Sequence, residues 1–253
     1  MIPSAAAHAW MVTVVFAMAP AAVIVLLFVS APYGRHARGG WGPTLPGRLG
    51  WILMESPAVL LFAAVFFSGA HAFEAAPLVL CALWMLHYVH RTFIFPFRLR
   101  STKPMALLVA ALAFGYQSLN ALVNASWVGE LGSYPDAWLT DPRFLAGVAL
   151  FFVGSAINHH ADWVLLNLRK PGETGYKIPR GGMYRWVTSA NYLGELVIWV
   201  GWAVATWSLA GLSFAIFTAA NLAPRAAQHH AWYHETFGDD YPPERRRLIP
   251  LLW

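Results

Sequence analysis

The chain alternates between long apolar stretches and short polar segments. Seven stretches have, or nearly have, the roughly 20 apolar residues that a helix needs to cross about 30 Å of hydrocarbon. They show no period-two alternation of apolar and polar positions, so they predict helices and not the strands of a transmembrane barrel. The last two stretches are short. The predicted spans are residues 10–29, 49–68, 75–95, 105–125, 144–163, 192–209 and 212–227.

The composition agrees with a membrane protein. Of the 253 residues, 58% are hydrophobic and only 11% are charged, and the mean hydropathy is +0.50. Soluble domains are far more polar than this. We therefore predict an all-α integral membrane protein in which residues 1–253 form a single domain of seven transmembrane helices. The first stretch lacks a basic leader and an evident cleavage site, so we interpret it as a retained span.

The basic residues predict the orientation. They concentrate in the first, third and fifth loops, whereas the second and fourth loops carry acidic residues and the sixth carries no charge. Because cytoplasmic loops are enriched in Lys and Arg, we expect the N-terminus outside and the C-terminus in the cytoplasm. The predicted topology explains the net charge of +5, so this charge gives no reason to expect a nucleic-acid partner. The basic loop residues are Arg35, Arg38, Arg48, Arg98, Arg100, Lys103, Arg169, Lys170, Lys177, Arg180 and Arg185.

Other counts narrow the class of protein. The single cysteine, Cys81, excludes an intramolecular disulfide and a CxxC site. The chain shows no internal repeat, which weakens the case for a transporter built from two halves. Only three of the 17 basic residues are Lys, and this Arg bias favours a bacterial source. We expect a multi-pass protein of the bacterial inner membrane, or of the endoplasmic reticulum membrane if the source is eukaryotic.

Polar side chains interrupt the apolar stretches in the last third of the chain. Such side chains are costly in a membrane and normally face the interior of a helix bundle, where they mark a site. Asn158 and Asp162 are four residues apart, and so are Asn191 and Glu195, so each pair shares a helix face. With the predicted topology, these pairs meet a third row near the cytoplasmic side. That row is Asn221, Arg225, His229 and Tyr233.

Two more polar residues reach the same depth. Glu55 is near the start of the second predicted span and Tyr88 is near the end of the third. Both lie roughly 9 to 10 Å from the cytoplasmic boundary at about 1.5 Å per residue. The sequence therefore predicts a carboxyl group and a phenol from different helices beside the polar cluster.

The loop between the fifth and sixth spans is rich in Gly, Pro and basic residues. Glycines let the backbone approach a ligand closely, and cations suit an anionic phosphate. The excess of basic residues in cytoplasmic loops also explains such a loop without a ligand. The residues alone therefore do not decide whether these basic side chains bind phosphate or only reflect the cytoplasmic position of the loop.

Four segments combine aromatic, basic and polar residues in a distinctive order: HYVHRTFIFPFR (87–98), GSAINHHADWVLLNLRKPGE (154–173), YKIPRGGMYRWVTSANYLGE (176–195) and YPPERRRLIPLLW (241–253). In order and spacing these motifs resemble those of the steroid 5α-reductase family, and the resemblance covers the chain from about residue 50 to the C-terminus. The resemblance implies seven helices enclosing NADPH, which enters from the cytoplasm, and a 3-oxo-Δ4 steroid such as testosterone or progesterone, which enters from the membrane. The family binds its dinucleotide without a Rossmann fold, so the lack of a GxGxxG motif is no objection.

The resemblance also implies residue roles, and we expect a monomer without a metal site. Glu55 and Tyr88 match the pair that hydrogen-bonds the steroid 3-ketone while hydride adds to C5. Animal members commonly carry Gln-Glu where this chain has Met54-Glu55, a departure beside the ketone site. The cofactor site is implied to lie mainly within residues 154–253. Its implied residues are Asn158, Asp162, Arg169, Tyr176, Lys177, Asn191, Tyr192, Glu195, Asn221, Arg225, His229 and Tyr233.

Four alternatives share parts of this pattern. A related enzyme could reduce another lipid alkene, in an enoyl-CoA or a polyprenol. An isoprenylcysteine-type methyltransferase or a non-catalytic sterol-binding protein has a similar architecture. A histidine-box oxygenase would bind iron through imidazoles, although no HxxHH box is present. Its candidate ligands are His87, His90, His159, His160, His229, His230 and His234.

Overall fold

The computed structural model describes residues 2–30, 38–99, 102–170 and 172–253. Within these ranges the chain is mainly helical, and two loop positions used to predict orientation, Arg35 and Arg100, lie outside the described residues. The helices are α1 (Ala5–Phe28), α2 (Gly47–Phe66), α3 (Ala75–Val89), α4 (Phe95–Arg98), α5 (Leu107–Ser126), α6 (Pro142–Leu166), α7 (Ala190–Thr206) and α8 (Leu209–Phe237). A π-helical turn, His90–Ile94, joins α3 to α4, and a second, Trp127–Leu131, follows α5.

Every predicted stretch is occupied by a helix in the described residues. Five helical segments are long and apolar enough to cross a membrane by length and composition, and α7 and α8 are not among them. These five are Ala5–Phe28, Gly47–Phe66, Ala75–Arg98, Leu107–Leu131 and Pro142–Leu166. The prediction of a multi-pass, all-α membrane protein is therefore confirmed at this level.

The helices do not share all their limits with the predicted spans, because hydropathy detects apolar surface and not the helix itself. The fourth predicted stretch began at Met105, but Met105–Ala106 is a short strand, β2, and the helix begins at Leu107. The last stretch was predicted to end at residue 227. Instead α8 continues through Pro224 to Phe237, with its polar later turns included in the helix.

Side chains cap several helix starts. The Asp141 carboxylate accepts a hydrogen bond from the backbone N–H of Arg143 at 2.8 Å and caps α6, whose first residue is Pro142. The Ser208 hydroxyl accepts from the backbone N–H of Gly211 at 2.9 Å and caps α8. Both caps satisfy backbone donors that have no partner inside the helix, so the local sequence explains where these helices begin.

The loops gather at two ends of the bundle. Strand β1 (Thr44–Leu45), in the first loop, pairs antiparallel with β2 in the third loop. At the other end, the His71 N–H donates to the Gly129 carbonyl at 2.9 Å, and the Tyr134 hydroxyl donates to the Thr206 carbonyl at 2.8 Å. Odd-numbered loops therefore share one end, as successive antiparallel helices require.

We call these ends the basic end and the acidic end. The described loop residues of the basic end include Arg38, Arg48, Arg98, Lys103, Arg169, Lys170, Lys177, Arg180 and Arg185. The acidic end carries Glu74, Glu130, Asp136 and Asp141. The C-terminal segment also lies at the basic end, where the Arg246 N–H donates to the Trp186 carbonyl at 2.8 Å.

Glycines bring α6 and α7 into close contact. Gly147 and Gly154 on α6 face Gly194 and Gly201 on α7, and each pair is spaced by seven residues, or about two helical turns. A Cβ added at Gly154 would lie 2.5 Å from the Ile198 nitrogen. Small residues permit such close backbone packing in membrane proteins, where lipid provides no hydrophobic force between helices. This contact holds the polar faces of α6 and α7 together.

An aromatic core lies beside the site. Trp84, which is fully buried, packs against Phe62 with ring centroids 4.5 Å apart and against Trp202 at 5.1 Å. Its indole N–H donates to the Ala58 carbonyl at 2.7 Å, so the polar atom is satisfied. This core joins α2, α3 and α7 next to Tyr88, whose ring is 4.8 Å from that of Trp84.

Candidate active site

A cavity of about 640 Å³ opens among helices α2 to α8 toward the basic end. Both predicted catalytic residues and all but one of the predicted cofactor residues line it. Asn158 is the exception, and its contacts are described below. The predicted residues in the lining are Glu55, Tyr88, Asp162, Arg169, Tyr176, Lys177, Asn191, Tyr192, Glu195, Asn221, Arg225, His229 and Tyr233.

Glu55 and Tyr88 meet at one side chain of α5. The amide nitrogen of Gln117 is 2.6 Å from the Glu55 Oε2 atom and 3.4 Å from the Tyr88 hydroxyl. The sequence placed Glu55 and Tyr88 at a common depth, and this shared contact agrees with that placement. Gln117 is buried and lines the cavity, but the sequence reasoning did not select it.

Gln117 carried a signal that the sequence reasoning left unused. Gln117, Asn120 and Asn124 are polar residues inside an apolar stretch, spaced so that they share one face of α5. The same argument had selected the polar pairs of the last third of the chain. All three side chains are buried.

Arg91 is a second residue that the sequence reasoning missed, although it lies within a quoted motif. Its Nη1 atom is 3.4 Å from the Asp162 carboxylate, and its Nε atom is 3.9 Å from that of Glu195. The guanidinium also lies over the Trp51 ring, 4.9 Å from the centroid. Arg91 belongs to the π-helical turn, a feature frequent at functional sites. It thereby connects the carboxylates of α6 and α7.

Glu195 is held from three sides. The Asn158 amide donates to one carboxylate oxygen at 3.2 Å, and the Trp199 indole donates to the other at 3.1 Å. The His87 Nε2 atom lies 3.5 Å from that second oxygen. The Asn158 amide also donates to the Asn191 carbonyl at 3.0 Å. Asn158 thus contacts Glu195 from behind the cavity wall, and cofactor contact by Asn158 stays a prediction.

The mouth of the cavity is formed by basic and aromatic side chains. Arg169 donates to the Gly175 carbonyl at 3.2 Å, which closes a turn of the loop after α6. On α8, the Arg225 guanidinium lies over the Tyr192 ring at 5.2 Å, and the His229 ring is 5.3 Å from the same ring. The cations therefore lie toward solvent and the buried carboxylates lie deeper.

Lys177 already has an acidic partner at this mouth. Its ammonium group is 2.5 Å from the Glu173 carboxylate, which also accepts from the Lys170 backbone N–H at 2.7 Å. The hydrogen bond from Lys177, followed by that from Lys170, lowers the pKa of Glu173 from its ordinary value. Glu173 therefore competes with any anionic ligand for the Lys177 ammonium.

Among the candidate iron ligands that the structure describes, two pairs of histidines lie close together. His90 and His159 have ring centroids 4.4 Å apart, and the Nε2 atoms of His230 and His234 are 3.2 Å apart. In the part of the chain that the structure describes, no group of three or more His, Cys, Asp or Glu side chains could hold a metal ion.

The site has a polarity that suits a dinucleotide and an apolar substrate. Basic residues at the mouth can meet phosphates, and carboxylates and amides further in can accept hydrogen bonds from ribose hydroxyls or a carboxamide. The opposite wall, toward α5 and α8, carries apolar side chains such as Val109, Phe214 and Phe217. The hydroxyl of Tyr88 and the carboxyl of Glu55 lie where this wall meets the polar one.

Comparison with known proteins gives consistent matches. A family profile described as 3-oxo-5-alpha-steroid 4-dehydrogenase matches residues 103–253. The chain is 46% identical over 233 residues to 3-oxo-5-alpha-steroid 4-dehydrogenase 1 of Bos taurus, covering 90% of each chain. It is 42% identical over 250 residues to Steroid 5-alpha-reductase DET2 of Arabidopsis thaliana, covering 96% of this chain and 95% of the relative. Relatives thus occur in an animal and a plant, and the expected bacterial source receives no support from them.

Proposed function

The chain belongs to the 3-oxo-5-alpha-steroid 4-dehydrogenase family, and we propose that it uses NADPH to reduce the Δ4 double bond of 3-oxo-Δ4 steroids. It is an oxidoreductase acting on CH–CH donors. In the proposed reaction, hydride adds to C5 of the steroid and a proton from solvent adds to C4. The product is a 5α-reduced 3-oxosteroid, and testosterone and progesterone are suitable substrates.

The observation that carries the proposal is the convergence of Glu55 and Tyr88 on one amide inside the cavity. Hydride addition at C5 moves negative charge onto the C3 oxygen and forms an enolate. Donors placed at that oxygen lower the barrier, as in an oxyanion hole. The Tyr88 hydroxyl is one such donor. The Glu55 carboxyl group in its protonated form is the other, since a neutral carboxylic acid can donate a hydrogen bond to such an oxygen.

The residues at the mouth fit the cofactor. NADPH supplies the hydride when it is bound. Arg169 and Lys177 hold phosphate groups, and the additional 2′-phosphate makes NADPH preferred over NADH. Asp162, Asn191 and Glu195 hold hydroxyl or carboxamide groups further in. The remaining residues of the proposed cofactor set are Asn158, Tyr176, Tyr192, Asn221, Arg225, His229 and Tyr233.

A conjugated ketone fits this site better than an isolated alkene. Both proposed donors serve to polarise an oxygen, and a polyprenol has no carbonyl beside the double bond that is reduced. An enoyl-CoA thioester does have such a carbonyl, so it is the appropriate competing substrate in an assay. Turnover of a polyprenol at the steroid rate would contradict the assigned roles.

The membrane arrangement forms part of the proposal. All seven helical segments span the bilayer, α7 and α8 included, with the basic end in the cytoplasm because Lys and Arg are retained there. The N-terminus is then outside, and the enzyme acts as a monomer in a bacterial inner membrane or in the endoplasmic reticulum. Single cysteines introduced into a Cys81→Ala variant test this. Labelling of a cysteine at Arg180 from outside intact cells would contradict it.

The catalytic assignment is tested by removing each donor. Tyr88→Phe keeps the ring and loses only the hydroxyl, so turnover should fall by about 10² to 10³, as for one oxyanion donor. Glu55→Ala should be worse than Glu55→Gln, because an amide can still donate. Rates with testosterone and progesterone, and NADPH binding measured separately, provide the readouts.

Tyr134→Phe is the matched control for the tyrosine. It removes a buried hydroxyl that contacts Trp127 and Thr206 at the acidic end, away from the proposed ketone position. This variant should keep near-normal turnover. Near-normal turnover by both Glu55→Ala and Tyr88→Phe would refute the ketone assignment.

The phosphate assignment has its own test. Arg169→Ala or Lys177→Ala should raise the NADPH concentration needed for half-maximal rate by about tenfold or more, the usual effect of losing a charge-assisted contact. Arg180→Ala is the matched control, because Arg180 is an exposed cation of the same loop outside the cavity lining. Unchanged NADPH binding in both test variants would contradict the assignment.

A further inference from the structure

Four buried side chains form a continuous hydrogen-bonded row that ends at Glu55 and Tyr88. We call this row, Gln117, Asn120, Asn124 and Trp202, the amide chain. The Trp202 indole N–H donates to Asn124 Oδ1 at 2.8 Å, and the Asn124 amide donates to Asn120 Oδ1 at 2.9 Å. The Asn120 amide donates in turn to Gln117 Oε1 at 3.3 Å. Trp202 is on α7 and the other three residues are on α5.

The indole determines the direction of every bond in the amide chain. An Asn or Gln side chain has a donating and an accepting end, and the two ends must be assigned from their partners. The indole N–H can only donate, so the Asn124 oxygen faces Trp202 and its nitrogen faces Asn120. Reversing Asn120 would place two donors against each other. The same reasoning applied to Gln117 turns its nitrogen toward the cavity.

This direction has a consequence at the proposed ketone site. The two N–H groups of Gln117 occupy an oxygen of Glu55 and the oxygen of Tyr88. The Tyr88 hydrogen is then free to point at a substrate oxygen. If the Gln117 oxygen faced these groups instead, Tyr88 and a protonated Glu55 would both donate to Gln117, and neither proton would be directed at the substrate.

We propose that the amide chain sets the hydrogen-bond polarity of the ketone site, with Gln117 as a positioning residue that keeps Tyr88 and Glu55 available as donors. The inference rests on the proposed function of Glu55 and Tyr88. It extends the site from two residues at the cavity to an indole on α7 that does not line the cavity. The amide chain lowers no barrier itself, and acts by preventing the two donors from bonding within the protein.

Gln117→Met tests the inference because Met has a similar length and cannot form the amide hydrogen bonds. We expect kcat for testosterone to fall by about tenfold, a smaller effect than deletion of the Tyr88 hydroxyl, since the donor remains but is no longer oriented. The KM for NADPH should not change, because Gln117 is on the α5 wall and not at the basic mouth. Ser126→Ala is the matched control, since it removes a buried hydroxyl of α5 that bonds only to the Leu122 carbonyl.

A double-mutant cycle separates positioning from general damage to the fold. In a Tyr88→Phe, Glu55→Ala background, Gln117→Met should cause no further loss of kcat, because neither proposed donor remains to be oriented. Trp202→Phe should lower kcat in the wild-type protein and have no added effect when Gln117→Met is present. Trp138→Phe is its control, since the Trp138 indole donates to the Ala205 carbonyl of α7 at 3.0 Å, outside the amide chain.

The outcomes distinguish this inference from the proposed function. A further tenfold loss from Gln117→Met in the Tyr88→Phe, Glu55→Ala background would overturn the inference and leave the ketone assignment intact. Unchanged kcat in Gln117→Met would do the same. Near-normal turnover by Tyr88→Phe and Glu55→Ala would overturn the ketone assignment itself, and the inference with it. Melting temperatures in detergent identify any variant that fails to fold, and Asn124→Leu then replaces Trp202→Phe in the cycle.

Discussion

A methyl group added at Gly194 tests whether close packing of α6 and α7 holds the site together. In Gly194→Ala, the new Cβ would lie 2.5 Å from the Asn158 nitrogen and 2.7 Å from its Cα. Both are backbone atoms, which cannot turn aside as a flexible side chain can. Since non-bonded carbon contacts need about 3.5 to 4 Å, the helices must separate by about 1 Å.

That separation has an energetic cost and a geometric one. Overpacking typically costs about 1 to 3 kcal/mol, and the intrinsic gain of Ala over Gly in a helix returns roughly 0.5 to 1 kcal/mol. The free energy of unfolding of Gly194→Ala should therefore fall by about 1 kcal/mol, the middle of a net range of roughly 0 to 2.5 kcal/mol. The hydrogen bond from Asn158 to Glu195, now 3.2 Å, would be stretched beyond hydrogen-bonding distance. Displacement of Glu195 on this scale can lower turnover by about a hundredfold.

Gly115→Ala is the matched control for this variant. Gly115 is also within a helix, α5, but a Cβ built there meets no atom within 4 Å. Its only expected effect is the helix-propensity gain. Thermal unfolding followed by tryptophan fluorescence in detergent, together with steroid turnover, compares the two variants. Equal stability and activity in Gly194→Ala and Gly115→Ala would refute the packing argument.

Three other perturbations concern single ionic contacts. Glu173→Gln should lower the NADPH concentration needed for half-maximal rate by about twofold, because Lys177 loses its exposed partner; initial rates at several NADPH concentrations measure this. Hydrogen bonds from Arg143 lower the pKa of Asp141 from 3.8 to about 2, so the stabilisation that Asp141 provides is lost as pH falls through that value. Asp141→Ala should therefore reduce the melting temperature fully above pH 3.8 and hardly at all near pH 2. Melting curves from pH 2 to 6 measure this difference. Arg91→Met should cost about 3 kcal/mol or more, since two buried carboxylates lose their cation, whereas Arg91→Lys should cost less; equal melting temperatures for the two variants would contradict this.

Residue spacing predicted which polar side chains of the site share a helix face. Spacing of four residues put Asn158 with Asp162 on one helix face, and Asn191 with Glu195 on another, because helical periodicity is a local property. The structure confirms that these two faces adjoin, since the Asn158 amide contacts both the Asn191 carbonyl and the Glu195 carboxylate. Which side chains line the cavity and which contact them from behind depended on the packing angle of α6 against α7.

Charge pairs were not predicted from the sequence, although one of them is local and only the other joins distant elements. Lys177 was expected to be available to phosphate, but in the structure it contacts Glu173, four residues earlier. Arg91 lies between Asp162 and Glu195, which are 71 and 104 residues later in the chain. The contacts of Arg91 depend on distances of a few ångströms between elements that are remote in sequence, and those distances follow from the arrangement of the helices.

The sequence by itself determined the membrane class, the places of the seven helical segments and the family. The length of the apolar stretches, the helical periodicity and the spacing of the motifs are all properties of the linear sequence. Only the tertiary structure decided the end of α8 and the residues that complete the site. The end of α8 escaped a hydropathy argument because its last turns are polar and face the cavity and the loops of the basic end. Gln117 acquired its partner Glu55 through the packing of α5 against α2. A hydrogen bond needs both atoms within about 3 Å, and for residues on separate helices only the three-dimensional packing supplies that proximity.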